Sequence, residues 1–333
     1  MKKVLSVVTA VLLCLALVAC NAPTPSESEG GAQPKQSLDV YAIAGPTGVG
    51  LANLMKQDKD GASAVDYEFH LATAPDQVVA KMVNGETDIA AVPTNLASTL
   101  YNKTGGKVKV LALNTMGVLY VMQNGEATIS SVADLRGKTI YSTGQGANPE
   151  YVLRYLLQRN GLDPDNDVTI KFLTENTELA AAVIKGDAEV ALVPEPLATT
   201  IRSKKASVKT VLNCTEEWNK VAEGGSTLTM GCVVVRTEVL EQKAQAVADF
   251  MREYQQSVNA ALQDAAAAGA LCAEFGILPD AALAAKAIPN CNLAFVQGAP
   301  MKLQLKGYLQ VLFNANPKSV GGAMPKDDFY YNA

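Results

Sequence analysis

The sequence predicts an α/β protein made of two doubly wound, mainly parallel-sheet lobes joined by two crossing strands. Three observations predict it. The length of 333 residues accommodates about two domains of roughly 150 residues each. Short apolar strands alternate with amphipathic helices, the pattern of right-handed crossovers onto a parallel sheet. One passage of that pattern occurs twice, at an offset of 101 residues.

The chain opens with an address. Lys2 and Lys3 precede an apolar run from Val4 to Val18, and Leu17-Val18-Ala19-Cys20 closes it. This is signal-peptide anatomy over residues 1–20, too short and wrongly flanked for a membrane span. Its end resembles the bacterial lipobox, which implies that Cys20 takes a diacylglycerol and becomes the first residue after cleavage. Acyl chains at about 0.8 kcal/mol per buried CH₂ would hold the protein to a membrane, on its extracytoplasmic side. Residues 21–36 (NAPTPSESEGGAQPKQ) carry no large apolar side chain and read as a flexible tether.

The repeated passage begins at Met82. Met82-Val83-Asn84-Gly85-Glu86-Thr87-Asp88-Ile89-Ala90-Ala91-Val92-Pro93 returns as Val183-Ile184-Lys185-Gly186-Asp187-Ala188-Glu189-Val190-Ala191-Leu192-Val193-Pro194. Each copy reads as a helix end, a glycine stop, an acidic turn, a buried strand and a terminating proline. Upstream, the strand at Val40–Gly45 matches Thr139–Gly144, and Val65–Phe69 matches Val168–Phe172. Asn148 is placed as the cap of a helix with Pro149 and Glu150 in its first turn and Gly161 at its stop. In the first half Pro75-Asp76-Gln77 opens a helix with Val78, Val79, Met82 and Val83 inward. Val118–Met122 and Leu228–Val235 fall outside the repeat and serve as crossings. Lobe I is thus expected over 37–115 plus 233–333, with lobe II, 116–232, inserted in it.

Composition narrows the function. The 28 Lys and Arg face 33 Asp and Glu, and loss of the leader's two lysines leaves 26, which argues against a nucleic-acid binder. A single His, His70, sits between Phe69 and Leu71 and reads as structural, so neither a metal nor a cofactor is expected. Beyond Cys14 and Cys20 stand Cys214, Cys232, Cys272 and Cys291. In an exported chain they predict disulfides, the local pairings Cys272–Cys291 and Cys214–Cys232 being preferred, with buried free thiols as the alternative.

Ligands of open parallel sheets sit at the carboxyl ends of the strands. The loops there are Gly45-Pro46-Thr47-Gly48, Thr73 and Thr94-Asn95 in lobe I. In lobe II they are Ser142-Thr143-Gly144-Gln145-Gly146 with Asn148, and Glu195. Their chemistry is neutral hydroxyls, amides and glycine N–H groups at helix starts, which suit an anion without needing Lys or Arg. Glu195, where the first copy has Thr94, could accept from an amine or ring N–H. The spacing Gly45-x-x-Gly48-x-Gly50 is not that of a dinucleotide fingerprint.

Leu135-Arg136-Gly137-Lys138-Thr139-Ile140, then Gly144 and the Asn148 helix, then Gly186-Asp187-Ala188-Glu189-Val190-Ala191 and Glu195-Pro196, resemble a substrate-binding lipoprotein of a bacterial ABC importer. The likeness covers about 37–333 and is to the type II periplasmic-binding fold, in the branch of nitrate, taurine, sulfonate and thiamine-pyrimidine-precursor binders. It implies a monomer that captures a small polar solute by hinge closure and delivers it to a permease and ATPase. An enzyme on the same fold, or a ligand sensor, is the alternative. Val193-Pro194 stands where the family often has an aromatic, so no stacking residue is carried over.

Overall fold

The computed structural model describes residues 35–332, and in these the strands sort into two sheets. The leader with Cys20, and nearly all of the tether, lie outside the described residues. The first half runs β1 (Ser37–Ile43), α1 (Pro46–Val49), α2 (Ala52–Lys59), β2 (Asp66–Ala72), α3 (Pro75–Asn84), β3 (Ile89–Pro93), α4 (Thr94–Lys103) and β4 (Val108–Met116). The chain then builds β5 (Leu119–Asn124), β6 (Thr139–Ser142), α5 (Asn148–Arg159), β7 (Thr169–Phe172), α6 (Asn176–Lys185), β8 (Val190–Pro194), α7 (Leu197–Lys204), β9 (Val208–Asn213) and α8 (Cys214–Val221). It returns through β10 (Thr229–Arg236), α9 (Thr237–Gln242), α10 (Ala244–Gln263), α11 (Ala265–Glu274), α12 (Ala281–Ala287), β11 (Leu293–Val296) and α13 (Gly298–Ala315).

The first sheet has the order β11-β4-β10-β3-β1-β2 and the second β7-β6-β8-β5-β9. The α/β two-lobe class holds, and both sheets are mixed: β1, β2, β3 and β4 share one direction in the first, and β6, β7, β8 and β9 in the second. β1 pairs in parallel with β2 and β3, and β6 with β7 and β8. Every ladder that includes β4, β5, β9, β10 or β11 is antiparallel. The two crossing strands, β10 in the first sheet and β5 in the second, run against the repeat strands, while β4 and β9 beyond them run with the repeat. An apolar run does not reveal this, because direction leaves no mark on a strand buried on both faces.

Local physics explains the repeated joints. α3 and α6 end on Gly85 (φ 77°) and Gly186 (φ 97°), left-handed positions open to glycine. The N–H of each bonds back to the helix, Gly85 to the carbonyls of Lys81 and Met82, Gly186 to those of Ala182 and Val183. β3 and β8 follow, both buried up to their closing prolines. Ala147, not Asn148, is the cap of α5, and Asn148 stands one place inside it.

Three apolar clusters hold the layers. One lies between the first sheet and α2, α10 and α11, and includes Leu38, Val40, Phe250 and Tyr254. A second, with Leu179, Val183 and Ile201, covers the outer face of the second sheet. The largest passes from the first sheet into the second through α4, α5, α8 and α13. At its centre Trp218 lies 4.3 Å from the Tyr155 ring and 5.5 Å from the Tyr308 ring.

The expected disulfides are not formed. Cys214, Cys232, Cys272 and Cys291 are all free and buried. Cys214 heads α8 while Cys232 lies within β10, so closeness along the chain does not join them. Each thiol packs as a small apolar group, and burial pushes those of Cys214 and Cys272 up to about 12. Among the described residues no helix is long and apolar enough to cross a membrane.

Candidate functional site

β1, β2 and β3 deliver their carboxyl ends to one edge of the first sheet, and β6, β7 and β8 do the same in the second. Side chains join the two edges. Asn148 Nδ2, at the start of α5, donates to Asn95 Oδ1, at the start of α4, over 3.2 Å. Tyr120 of β5 donates its hydroxyl to the Asn290 carbonyl at 2.7 Å, and Asn292 Nδ2 donates to the Gly117 carbonyl.

On the first edge, Gly45 (φ 120°) turns the chain out of β1, and its N–H donates to the Ile277 carbonyl at 3.0 Å. Pro46 opens α1, and the Thr47 hydroxyl donates back to Ile43. Gly48 is buried, and a Cβ there would lie 3.2 Å from both the Ile277 side chain and the Ile43 carbonyl. Asn114 Nδ2 fixes this turn by donating to the Thr47 carbonyl at 3.0 Å and to the Tyr254 hydroxyl oxygen at 3.0 Å. Thr73 stands apart and exposed, with its N–H on Gln77. Thr94 is fully buried and donates its hydroxyl to the Thr229 carbonyl at 2.8 Å. Asn95 passes the bond from Asn148 onward, its Nδ2 donating to Ser319 at 3.4 Å.

On the second edge, Ser142 is buried with its hydroxyl on the carbonyls of Thr143 and Leu192. Thr143 donates to Asn176 Oδ1 at 2.8 Å. Gly144 and Gly146 take left-handed turns, and Gln145 between them is exposed. The Gly146 N–H donates to Glu150 at 2.7 Å. Glu195 precedes a cis peptide bond to Pro196, and both its carboxylate oxygens hold donors of the same lobe. Oε2 accepts from the Thr199 N–H at 3.0 Å, and Oε1 accepts from the Thr199 hydroxyl at 2.9 Å and from Arg202 at 3.1 Å. Burial raises its carboxyl above the usual range, against the pull of Thr199 and Arg202. Any ligand N–H would compete with these donors. The neighbouring Tyr120 hydroxyl is pushed up to about 12, by burial first and then by the Glu195 charge.

Three buried oxygens at or behind these edges have no partner among the described residues: Asn148 Oδ1, Asn114 Oδ1 and Thr229 Oγ1. A buried polar atom without a partner costs roughly 1–3 kcal/mol, so each marks room for water or a ligand group. Asn114 and Thr229 escape sequence reasoning because they lie on β4 and β10, outside the repeat. The signal that could have found them is a polar residue in an otherwise apolar strand. Neither α4 nor α5 carries a side-chain cap. Their first-turn N–H groups, lacking intrahelical acceptors, together with the positive ends of two helix dipoles, suit a small oxyanion.

The architecture recurs in known structures. The chain is similar to an ABC transporter from Parabacteroides distasonis, at 21% identity over 90% of this chain and 99% of that one, with a TM-score of 0.74. It is similar to the periplasmic aliphatic sulphonate binding protein SsuA from Escherichia coli, at 14% identity over 90% and 93% of the two chains, TM-score 0.70. The periplasmic nitrate-binding protein NrtA from Synechocystis PCC 6803 aligns at 16% identity over 72% and 66%, TM-score 0.51. At such identities these likenesses establish the type II periplasmic-binding fold. No curated protein sequence matches the chain. The family model described as ABC transporter, phosphonate, periplasmic substrate-binding protein matches residues 60–273. On that match the chain belongs to this family of ABC-transporter substrate-binding proteins, which are solute binders and not enzymes.

Proposed function

We propose that the chain is the lipid-anchored, extracytoplasmic solute receptor of an ABC importer, and that it takes a small solute bearing an oxyanion, a phosphonate or a sulfonate. The solute would lie between the two sheet edges, with lobe I over 37–115 plus 233–333 and lobe II over 116–232 closing on it about the crossings. The observation that carries this reading is the Asn95–Asn148 bond, which sets the uncapped starts of two helices from opposite sheets beside each other at 3.2 Å. Thr94, Ser142, Thr143, Gly144 and the turn Gly45-Pro46-Thr47-Gly48 would complete the wall. A membrane permease and its ATPase would receive the solute, and Cys20 lipidation would keep the receptor beside them. The family and the sulphonate- and nitrate-binding neighbours support the ligand class.

The test is a thermal-shift and calorimetric panel of methylphosphonate, ethanesulfonate, nitrate and an aminopyrimidine. A true ligand at a hundred times its Kd adds about 2.7 kcal/mol of stability, and scattering at saturation should show compaction. Tightest binding of the aminopyrimidine would replace the oxyanion with a heterocycle. Saturable binding without compaction would remove hinge closure.

A further inference from the structure

On the face of the first sheet covered by α3, away from the cleft, three ligand-type side chains meet. The parallel register of β1 and β2 sets Asp39 opposite Glu68 and Tyr41 opposite His70. All four side chains therefore emerge on one face, because alternate residues of a strand do. His70 Nε2 lies 3.0 Å from Asp39 Oδ2 and 3.4 Å from Glu68 Oε1, and one donor atom from each of the three falls within 4.8 Å of the others. Two ligands of a tetrahedral zinc ion, each about 2.0–2.1 Å from the metal, stand about 3.3–3.4 Å apart. The cluster is already close to that spacing.

Two further observations point to a cation. Asp39 Oδ1 is buried and has no hydrogen-bond partner among the described residues, although its sister oxygen faces His70. And two carboxylates stand directly opposite each other on adjacent strands, which is unfavourable unless positive charge lies between them. The nearest lysine on α3, Lys81, is turned to Glu86. The imidazole is held flat on the Tyr41 ring, with centroids 4.5 Å apart and planes at 20°, so its nitrogen is aimed before any ion arrives.

We propose that Asp39, Glu68 and His70 bind a divalent cation of the zinc class, with water completing the shell, and that the ion ties the edge strand β2 to β1. One imidazole with two carboxylates favours zinc over calcium or magnesium, which take all-oxygen shells. Asp39 and His70 are the firm ligands, with side chains about three-quarters buried, whereas Glu68 is 75% exposed and would swing in to close the site.

The experiment titrates the metal-free full chain with Zn²⁺ against a chromophoric chelator. One equivalent should bind, with H70Q and D39N at least about tenfold weaker and E68Q weakened less. X-ray absorption of the loaded protein should show a nitrogen and oxygen shell with imidazole scattering. Sulfur in the shell would put the ion on the cysteines and overturn the proposal. So would no saturable binding at about 100 µM Zn²⁺, or H70Q binding as tightly as the natural chain. If H70Q and D39N do not fold, E68Q decides, since its exposed side chain leaves packing intact: unchanged affinity there counts against the site. The solute panel is independent of this titration, so each can fail alone.

Discussion

The two copies of the repeated passage share their scaffold and differ at the tip. Both stop a helix on a left-handed glycine and run a buried four-residue apolar strand into a proline. The residue that follows then takes opposite directions. Thr94 reaches outward and bonds Thr229 on β10, the strand that returns from the second sheet. Glu195 turns inward and is consumed by Thr199 and Arg202 of its own helix. The comparison teaches that the repeat determines how a strand hands over to a helix and leaves the next residue free for another task. In lobe I that task is to tie the end of β3 to the crossing strand β10. In lobe II it is to hold a helix against its sheet.

The largest expected effect comes from the place where the two halves share a core. Trp218 is fully buried and touches both Tyr155 of α5 and Tyr308 of α13. W218A should cost about 3–5 kcal/mol, read by urea denaturation, as large-to-small changes of a buried aromatic do. The unfolding should remain one transition. Two separated transitions would show the lobes to be energetically independent and break the comparison at its base.

Next is the lobe II tip. E195A strips a buried carboxylate from Thr199 and from Arg202, whose guanidinium is 31% exposed, so about 2–3 kcal/mol is expected. E195Q separates charge from shape through pH. The folded protein raises the Glu195 carboxyl above 4.5, so it binds that proton more tightly than the unfolded chain does. Stability from this group is greatest at acid pH and falls as pH climbs from about 4.5 through the raised value. The fall should be missing from the E195Q profile. A natural chain that gains stability over that window relative to E195Q would reverse the sign and the assignment.

Much of this frame was legible in the chain, and the reasons are local. Gly85, Gly186, Pro93, Pro194 and the Pro75 and Pro149 helix starts act through their own backbone restrictions, so no partner need be known to read them. Asn95 and Asn148 were read as strand-end loop residues, and they stand instead in the first turns of α4 and α5. What stayed hidden depends on long-range pairing. The antiparallel course of β5 and β10, and the place of β4 beyond β10, cannot be seen in apolar strings such as Val233-Val234-Val235. Asn114 and Thr229 become neighbours of the Thr47 turn and of Thr94 only when those strands are placed. The cysteines misled because an exported chain was taken to oxidise them, whereas all four are free thiols packed into the apolar clusters. His70 looked structural because its partner Asp39 lies on another strand, 31 residues earlier, and only the register of β1 on β2 brings them together.

The glycine stops sharpen the comparison on the side where the copies agree. G85A and G186A should each cost about 1–2 kcal/mol, since an L-residue in a left-handed position pays that strain. They should not be identical. A Cβ on Gly85 would stand 3.3 Å from the Arg236 guanidinium, which is held by Asp88 and the Thr87 carbonyl, whereas on Gly186 it would meet Asn124 at 3.6 Å. G85A is expected to be the more costly, by a few tenths of a kcal/mol in chemical denaturation.

The smallest effect tests the tip of lobe I. T94V keeps the side-chain volume and removes the hydroxyl that donates to the Thr229 carbonyl. One buried hydrogen bond is worth about 1 kcal/mol, so stability should fall by roughly that amount, well below the E195A loss. The two variants should then trade places in solute binding. T94V frees the Thr229 end of β10 beside the Asn95–Asn148 contact and should weaken the best ligand of the panel. E195Q, whose side chain still serves its own helix, should weaken it less. Calorimetry on both variants with the same solute settles the ordering. Equal losses would mean that Glu195 also faces the ligand, and the two tips would then differ in chemistry but not in task.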